Sequence, residues 1–167
     1  AGHHPERPPM TEQDEAFLRR AIALSRERMA AGDGGPFGAV VVRDGRILAE
    51  GANAVTTAND PTAHAEITAI RRACQAVGSF SLAGATIYTS CEPCPMCLGA
   101  IYWARLARIV YANDRADAAA IGFDDAFLYR EIPLPPARRA IPTERMLAEE
   151  ARAVFAAWAA KPDRIPY

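Results

Sequence analysis

No stretch of this 167-residue chain approaches the roughly 20 consecutive apolar residues needed to cross a bilayer. Its first residues, Ala1 to Pro9, lack the charged-then-apolar order of a secretory signal. No membrane association is expected, and the expected location is the cytoplasm. Clustered positive charge is also missing: 19 Lys and Arg stand against 20 Asp and Glu, the net charge is −1, and no basic run is longer than a pair such as Arg138-Arg139. Proteins that grip a phosphate backbone carry a basic stripe, so nucleic acid is not the expected partner. Cysteine is sparse as well. Four residues are too few for a disulfide scaffold, and two of them stand as Cys94-Pro-Met-Cys97, the spacing of a metal or redox pair, which suits a reducing compartment. What is present, 50% hydrophobic and 23% charged residues, describes one globular domain of ordinary size. Residues 1–9 hold three prolines and nothing periodic, and read as a flexible arm or tag remnant. His3 and His4 go with them, leaving a single domain over 10–167.

Along that domain, Thr11 is a plausible N-cap, and Phe17, Leu18, Ala21, Ile22, Ser25 and Met29 recur at helical spacing, so a first helix should end near Ala31 at Gly32. Phe37–Val42 and Ile47–Gly51, separated by a turn containing Asp44-Gly45, predict a β-hairpin. A polar loop from Asn53 to Pro61 leads to a second helix over about 63–77, stopped by Gly78. Thr86–Thr89 reads as a buried strand, Pro95 as the first residue of a third helix, and Arg108–Ala112 as a further strand. A short helix is expected over about 117–120. A last one should run over about 143–160, with Leu147, Ala151, Val154, Phe155 and Trp158 on one face. This alternation implies an α/β sandwich around a mixed sheet.

Two segments carry the chemistry. His64-Ala65-Glu66 opens the second helix, and Pro93-Cys94-Pro95-Met96-Cys97 opens the third. One imidazole and two thiolates are three of the four ligands of tetrahedral zinc, and a fourth position left to water marks a catalytic site. Glu66, on another side of its helix from His64, could exchange a proton with that water without binding the metal. Taken singly, the parts have plainer readings: Cys-x-x-Cys as a redox dithiol, His64 as a capping or buried polar group, Glu66 as a solvated carboxylate. Together and in this order, H-x-E followed by P-C-x-x-C is the signature of the zinc deaminases.

On these motifs the sequence resembles the cytidine-deaminase-like superfamily, and within it the bacterial guanine deaminases. The likeness extends over Gly34–Val40, Val55–Glu66, Tyr88–Arg105 and Gly122–Asp125. It implies a three-layer α/β/α sandwich around a mixed sheet of about five strands, a Zn2+ cofactor, and hydrolysis of guanine to xanthine and ammonia. Another free base, a nucleoside, an aminotriazine or tRNA adenosine is the alternative substrate. It further implies that His64, Cys94 and Cys97 hold zinc and that Glu66 shuttles the proton. Asn53, the backbone N–H of Ala65, Phe37, Asp125 and Tyr167 would contact a small purine base. The implied assembly is a homodimer that exchanges a C-terminal tail over about 143–167. On their own terms Asn53 reads as a loop residue, Phe37 as core, and Tyr167 as a free terminus. Asp125 fits guanine better, because a carboxylate can accept from the ring N–H and the amine side by side, although a helix cap or solvated loop is the plainer reading. Cys74 and Cys91 read as small buried residues.

Overall fold

The computed structural model describes residue 7 and residues 9–167. Most of the arm expected over 1–9, with His3 and His4, lies outside the described residues. The rest groups into two compact units, one ending at Asp124 and one spanning Asp125–Tyr167.

The first unit opens with helix α1, Glu12–Ala30. Thr11 caps it through a reciprocal box: its Oγ1 accepts from the Asp14 N–H at 3.1 Å, while Asp14 Oδ2 accepts from the Thr11 N–H at 2.9 Å. Strands β1, Gly38–Arg43, and β2, Arg46–Ala52, form the expected hairpin. Asp44 and Gly45 both take positive φ, 53° and 73°, as a tight two-residue turn requires. β1 also pairs antiparallel with β3, Thr86–Cys91, and β3 runs parallel to β4, Arg108–Asn113. The sheet order is β2-β1-β3-β4.

Strand alternation sorts the core into two clusters. Ala39, Val41 and Ile87 pack with Ala65, Ala69 and Ala73 of helix α3, Ala65–Val77, and with Ile101 of helix α4, Pro95–Trp103. Val40, Val42, Tyr88 and Val110 pack with Ala21 and Leu24 of α1. Helices therefore cover both faces, which is the expected α/β/α layering. The sheet has four strands among the described residues instead of about five. After β4 the Asp114–Asp117 capping box turns the chain at once into helix α5, Arg115–Ala120, and Pro133, Pro135 and Pro136 leave no further strand-forming run. A short helix, α2 at Val55–Ala58, lies where a loop was expected, and a further one, α6 at Ala126–Glu131, falls where no element was expected.

Gly51 of β2 sets the distance between strand and helix. A Cβ there would lie 2.5 Å from the Ala65 carbonyl oxygen and 2.6 Å from the Ala69 nitrogen, so only glycine lets α3 sit this close.

The second unit holds α6, a 3-10 turn at Pro136–Arg138, and helix α7, Ala148–Ala160. The last helix thus begins five residues later than expected. Leu147 sits in the left-handed region at φ 58°, and Pro142 interrupts the chain just before Thr143. Its apolar side chains lie open: Val154, Phe155 and Trp158 are 66%, 77% and 44% exposed. No helix among the described residues is long and apolar enough to cross a membrane.

Candidate metal centre and active site

Two helix starts carry the cluster. His64 is the N-cap residue of α3 and Cys94 that of α4; both have extended backbone, and neither side chain spends itself on capping. The sequence enforces this locally. Asp60 Oδ1 accepts from the Thr62 N–H at 2.8 Å and the Thr62 hydroxyl at 2.7 Å, folding Asp60-Pro61-Thr62 into the turn that delivers His64. Pro95 supplies the preset first residue of α4, and the Leu98 N–H donates to the Cys94 carbonyl at 2.8 Å. The loop before Cys94 is tied to β4, where the Glu92 N–H donates to the Asn113 carbonyl at 2.8 Å.

These two starts bring His64 Nδ1 to 3.6 Å from Cys94 Sγ and 3.5 Å from Cys97 Sγ. The three ligand atoms all lie within 4.8 Å of one another. Tetrahedral zinc with bonds of about 2.3 Å to sulfur and about 2.05 Å to nitrogen requires S···N separations of roughly 3.6 Å. The donor set therefore fits zinc in both chemistry and spacing. A redox pairing of Cys94 with Cys97 alone would give no role to the His64 Nδ1, which lies within 3.6 Å of both sulfurs.

Electrostatics favours a thiolate here. Hydrogen bonding from Cys97, aided by His64, pulls Cys94 down to about 4 against the opposing effect of burial. Cys97 moves the other way, pushed up by Cys94, by burial and by the neighbouring Glu66. Cys94 stands at the N-terminus of α4, where the helix dipole also favours a thiolate. His64 is raised chiefly by its hydrogen bond to Cys94. Glu66, in the first turn of α3 and 7% exposed, has its carboxyl pushed up by burial. A buried carboxyl of that kind beside a metal cluster is suited to carrying a proton.

The other predicted contacts divide between the units. Ala65 is the first residue of α3, so its N–H has no intrahelical acceptor. Asn53 follows β2 directly and is 7% exposed. Its Oδ1 accepts from the Gly35 and Val55 N–H groups, both at 3.2 Å. Its backbone N–H donates to the Phe37 carbonyl at 3.1 Å, and the Ala54 N–H donates to the Ala63 carbonyl at 3.0 Å, so this corner is joined to the segment that leads into His64. Phe37 packs edge-on against Phe123, with ring centroids 5.0 Å apart and an interplanar angle of 87°. Asp125 and Tyr167 belong to the second unit, Asp125 just ahead of α6 and Tyr167 at the exposed end. Sequence reasoning missed Gly34, Gly35 and the Asp60–Thr62 turn as parts of the site. The signal for the turn was the Asn-Asp-Pro-Thr run itself.

Residues 11–113 match the family described as cytidine and deoxycytidylate deaminase zinc-binding region. The guanine deaminase of Bacillus subtilis (strain 168) is 57% identical over 144 residues, covering 86% of this chain and 92% of that protein. An X-ray structure of guanine deaminase from Bacillus subtilis superposes with a TM-score of 0.90 at 53% identity, covering 95% of this chain and 99% of that one. A guanine deaminase structure from Nitrosomonas europaea gives 0.64 at 32% identity, with 81% and 80% covered. A tRNA-specific adenosine deaminase of Agrobacterium fabrum is 45% identical over 101 residues, 60% of this chain and 66% of that protein.

Proposed function

The chain belongs to the cytidine and deoxycytidylate deaminase zinc-binding family, and on that premise we propose that it is a zinc-dependent aminohydrolase converting guanine and water to xanthine and ammonia. The reaction class rests on three ligand atoms at zinc spacing beside the buried carboxyl of Glu66. The substrate rests on the extent of likeness to the Bacillus subtilis guanine deaminase, which runs through both compact units, whereas the tRNA deaminase likeness covers much less of the chain. The net charge of −1 also gives tRNA little to bind.

His64, Cys94 and Cys97 hold the metal. When bound, zinc supplies Lewis acidity that makes water a nucleophile at neutral pH. Glu66 would take one proton from the attacking water and deliver it to the ring nitrogen beside C2, then take the second proton from the oxygen now bonded to C2 and pass it to the amine, which leaves as ammonia while C2 becomes a carbonyl. Burial of Glu66 suits this task, because it raises the carboxyl's affinity for a proton that it must first accept and then return. Asn53, the Ala65 N–H, Phe37, Asp125 and Tyr167 contact the base.

Residues 10–167 form one deaminase domain, acting in the cytoplasm and in purine breakdown, and two copies exchange the tail over about 143–167. The open apolar side chains of α7, with Ile165 and Tyr167 at 64% and 74% exposure, supply the surface such an exchange would cover. Tyr102 and Trp103 of α4, 70% and 63% exposed, supply another. Light scattering should give a dimer for the full chain and a monomer or unfolded species for a chain ending at Pro142; a stable dimer of the shortened chain rejects the exchange.

The substrate is tested by ammonia release from guanine, adenine, cytosine, their nucleosides and aminotriazines. Guanine should be turned over fastest. Release from adenosine in tRNA but not from guanine would replace the substrate assignment and leave the reaction class standing.

A further inference from the structure

We propose that Gly34 is a positioning residue for base recognition: lacking a side chain, it lets the Gly34-Gly35 turn close onto Asn53 and lock its amide with Oδ1 turned to the backbone and Nδ2 left for the substrate. The inference rests on the reading of Asn53 as a contact to the base. It assigns to Gly34 the task of orienting that contact.

The geometry is specific to one orientation of the amide. Oδ1 accepts two backbone hydrogen bonds, from Gly35 and Val55, each at 3.2 Å. Flipping the amide would aim an NH2 group at two N–H donors, so these bonds fix which end is which. Backbone bonding holds the same residue from its other side, through the Asn53 N–H on the Phe37 carbonyl. The turn is anchored in turn by the Thr57 hydroxyl, which donates to the Asp33 carbonyl at 2.7 Å. With Oδ1 committed, Nδ2 is a donor, and the part of the base it meets must be an acceptor, a ring nitrogen or a carbonyl oxygen.

Gly34 is what makes the closure feasible. A Cβ at this position would stand 2.2 Å from the Asn53 carbonyl oxygen and 2.6 Å from Asn53 Oδ1. Ordinary contact would require the turn and Asn53 to separate by about 1 Å, and a displacement of that size at a substrate-positioning group costs on the order of 100-fold in rate. Neither atom that meets the Cβ belongs to a flexible side-chain end that could swing clear; one is backbone and the other is held by two hydrogen bonds.

The test is a double-mutant cycle on zinc-loaded full-length protein: wild type, Gly34→Ala, Asn53→Ala and the double variant, with kcat and KM for guanine, zinc content and melting temperature measured for each. Gly34→Ala should keep its zinc and lose about 30- to 100-fold in kcat/KM. In the Asn53→Ala background the same change should cost less than about twofold, because its effect passes through Asn53. Wild-type kcat/KM in Gly34→Ala, or losses that multiply independently, overturns the proposal. Should Gly34→Ala fail to fold, Asn53→Asp decides: it keeps an oxygen for Gly35 and Val55 but removes the donor, and should lose as much kcat/KM as Asn53→Ala. Retained activity in Asn53→Asp overturns the assigned orientation. A wild-type protein that leaves guanine unchanged overturns this proposal together with the substrate assignment, whereas normal wild-type turnover with an unaffected Gly34→Ala overturns this proposal alone.

Discussion

Replacing Asp14 by Asn should destabilise the fold in a way that disappears in acid. Asp14 sits in the first turn of α1, is 4% exposed, and ties the helix to two strands. Its Oδ1 accepts from the Tyr88 hydroxyl of β3 at 2.6 Å and from Arg108 of β4 at 2.8 Å, and its Oδ2 accepts from Arg108 at 3.2 Å. Removing one partner of a fully buried ion pair costs about 3–5 kcal/mol, and of an exposed one about 0–1 kcal/mol. Arg108 has a side chain 29% exposed, so water can recover part of its charge, and Asn still offers Tyr88 an acceptor. The expected loss at pH 7 is therefore about 2–3 kcal/mol. The sign with pH follows from the direction of the shift: Arg108 first, with Tyr88 and Thr11, holds the Asp14 carboxyl far below its ordinary value of 3.8. Such a group adds stability that is fully present above the unfolded value and is lost as pH falls from there toward the folded one. Urea unfolding followed by circular dichroism at pH 7, 5 and 3, on zinc-loaded wild type and Asp14→Asn in parallel, measures the difference directly. It should be constant from pH 7 to 5 and shrink by pH 3. A variant as stable as wild type at pH 7, or a gap that persists unchanged at pH 3, would show that the Asp14–Arg108 pair does not stabilise the fold.

Three further outcomes are expected. Glu66→Gln should retain zinc, measured by metal analysis, while turnover falls by about 10³-fold or more, the scale of a lost general acid–base group; activity within tenfold of wild type would exclude the proton shuttle. Cys97→Ser should emerge from dialysis with far less zinc than wild type and a lower melting temperature, since it weakens one of the three ligands proposed for the metal. Ile87→Ala, at a fully buried position of β3 where sheet and α3 meet, should cost about 2–5 kcal/mol in urea unfolding without altering zinc content.

The cluster was legible in the sequence because metal chemistry constrains residue type and spacing at once. His64, Glu66, Cys94 and Cys97 each sit at or just inside a helix start, and Pro95 and Gly78 punctuate those helices in the sequence itself. The hairpin was equally open to reading, since Asp44-Gly45 names its own turn. What the residues could not disclose was whatever depends on contact between distant segments. Asp14 reads as a capping carboxylate until Arg108, 94 positions away, is found against it. Gly34 reads as one of several loop glycines until its missing Cβ is found to be Asn53's resting place. The start of α7 was misread because an apolar period continues through Leu147 although the backbone there is left-handed. The apolar face of α7 has the pattern of a core helix and yet lies exposed, because a pattern reports that a face is apolar and not what covers it.

Hydrolytic deamination of guanine at C2 is checked by isotopic labelling. Zinc-loaded protein incubated with guanine in water enriched in oxygen-18 should release one ammonia per guanine consumed and yield xanthine carrying one labelled oxygen. Unchanged guanine, or xanthine formed without the label, would exclude hydrolysis of guanine at this site.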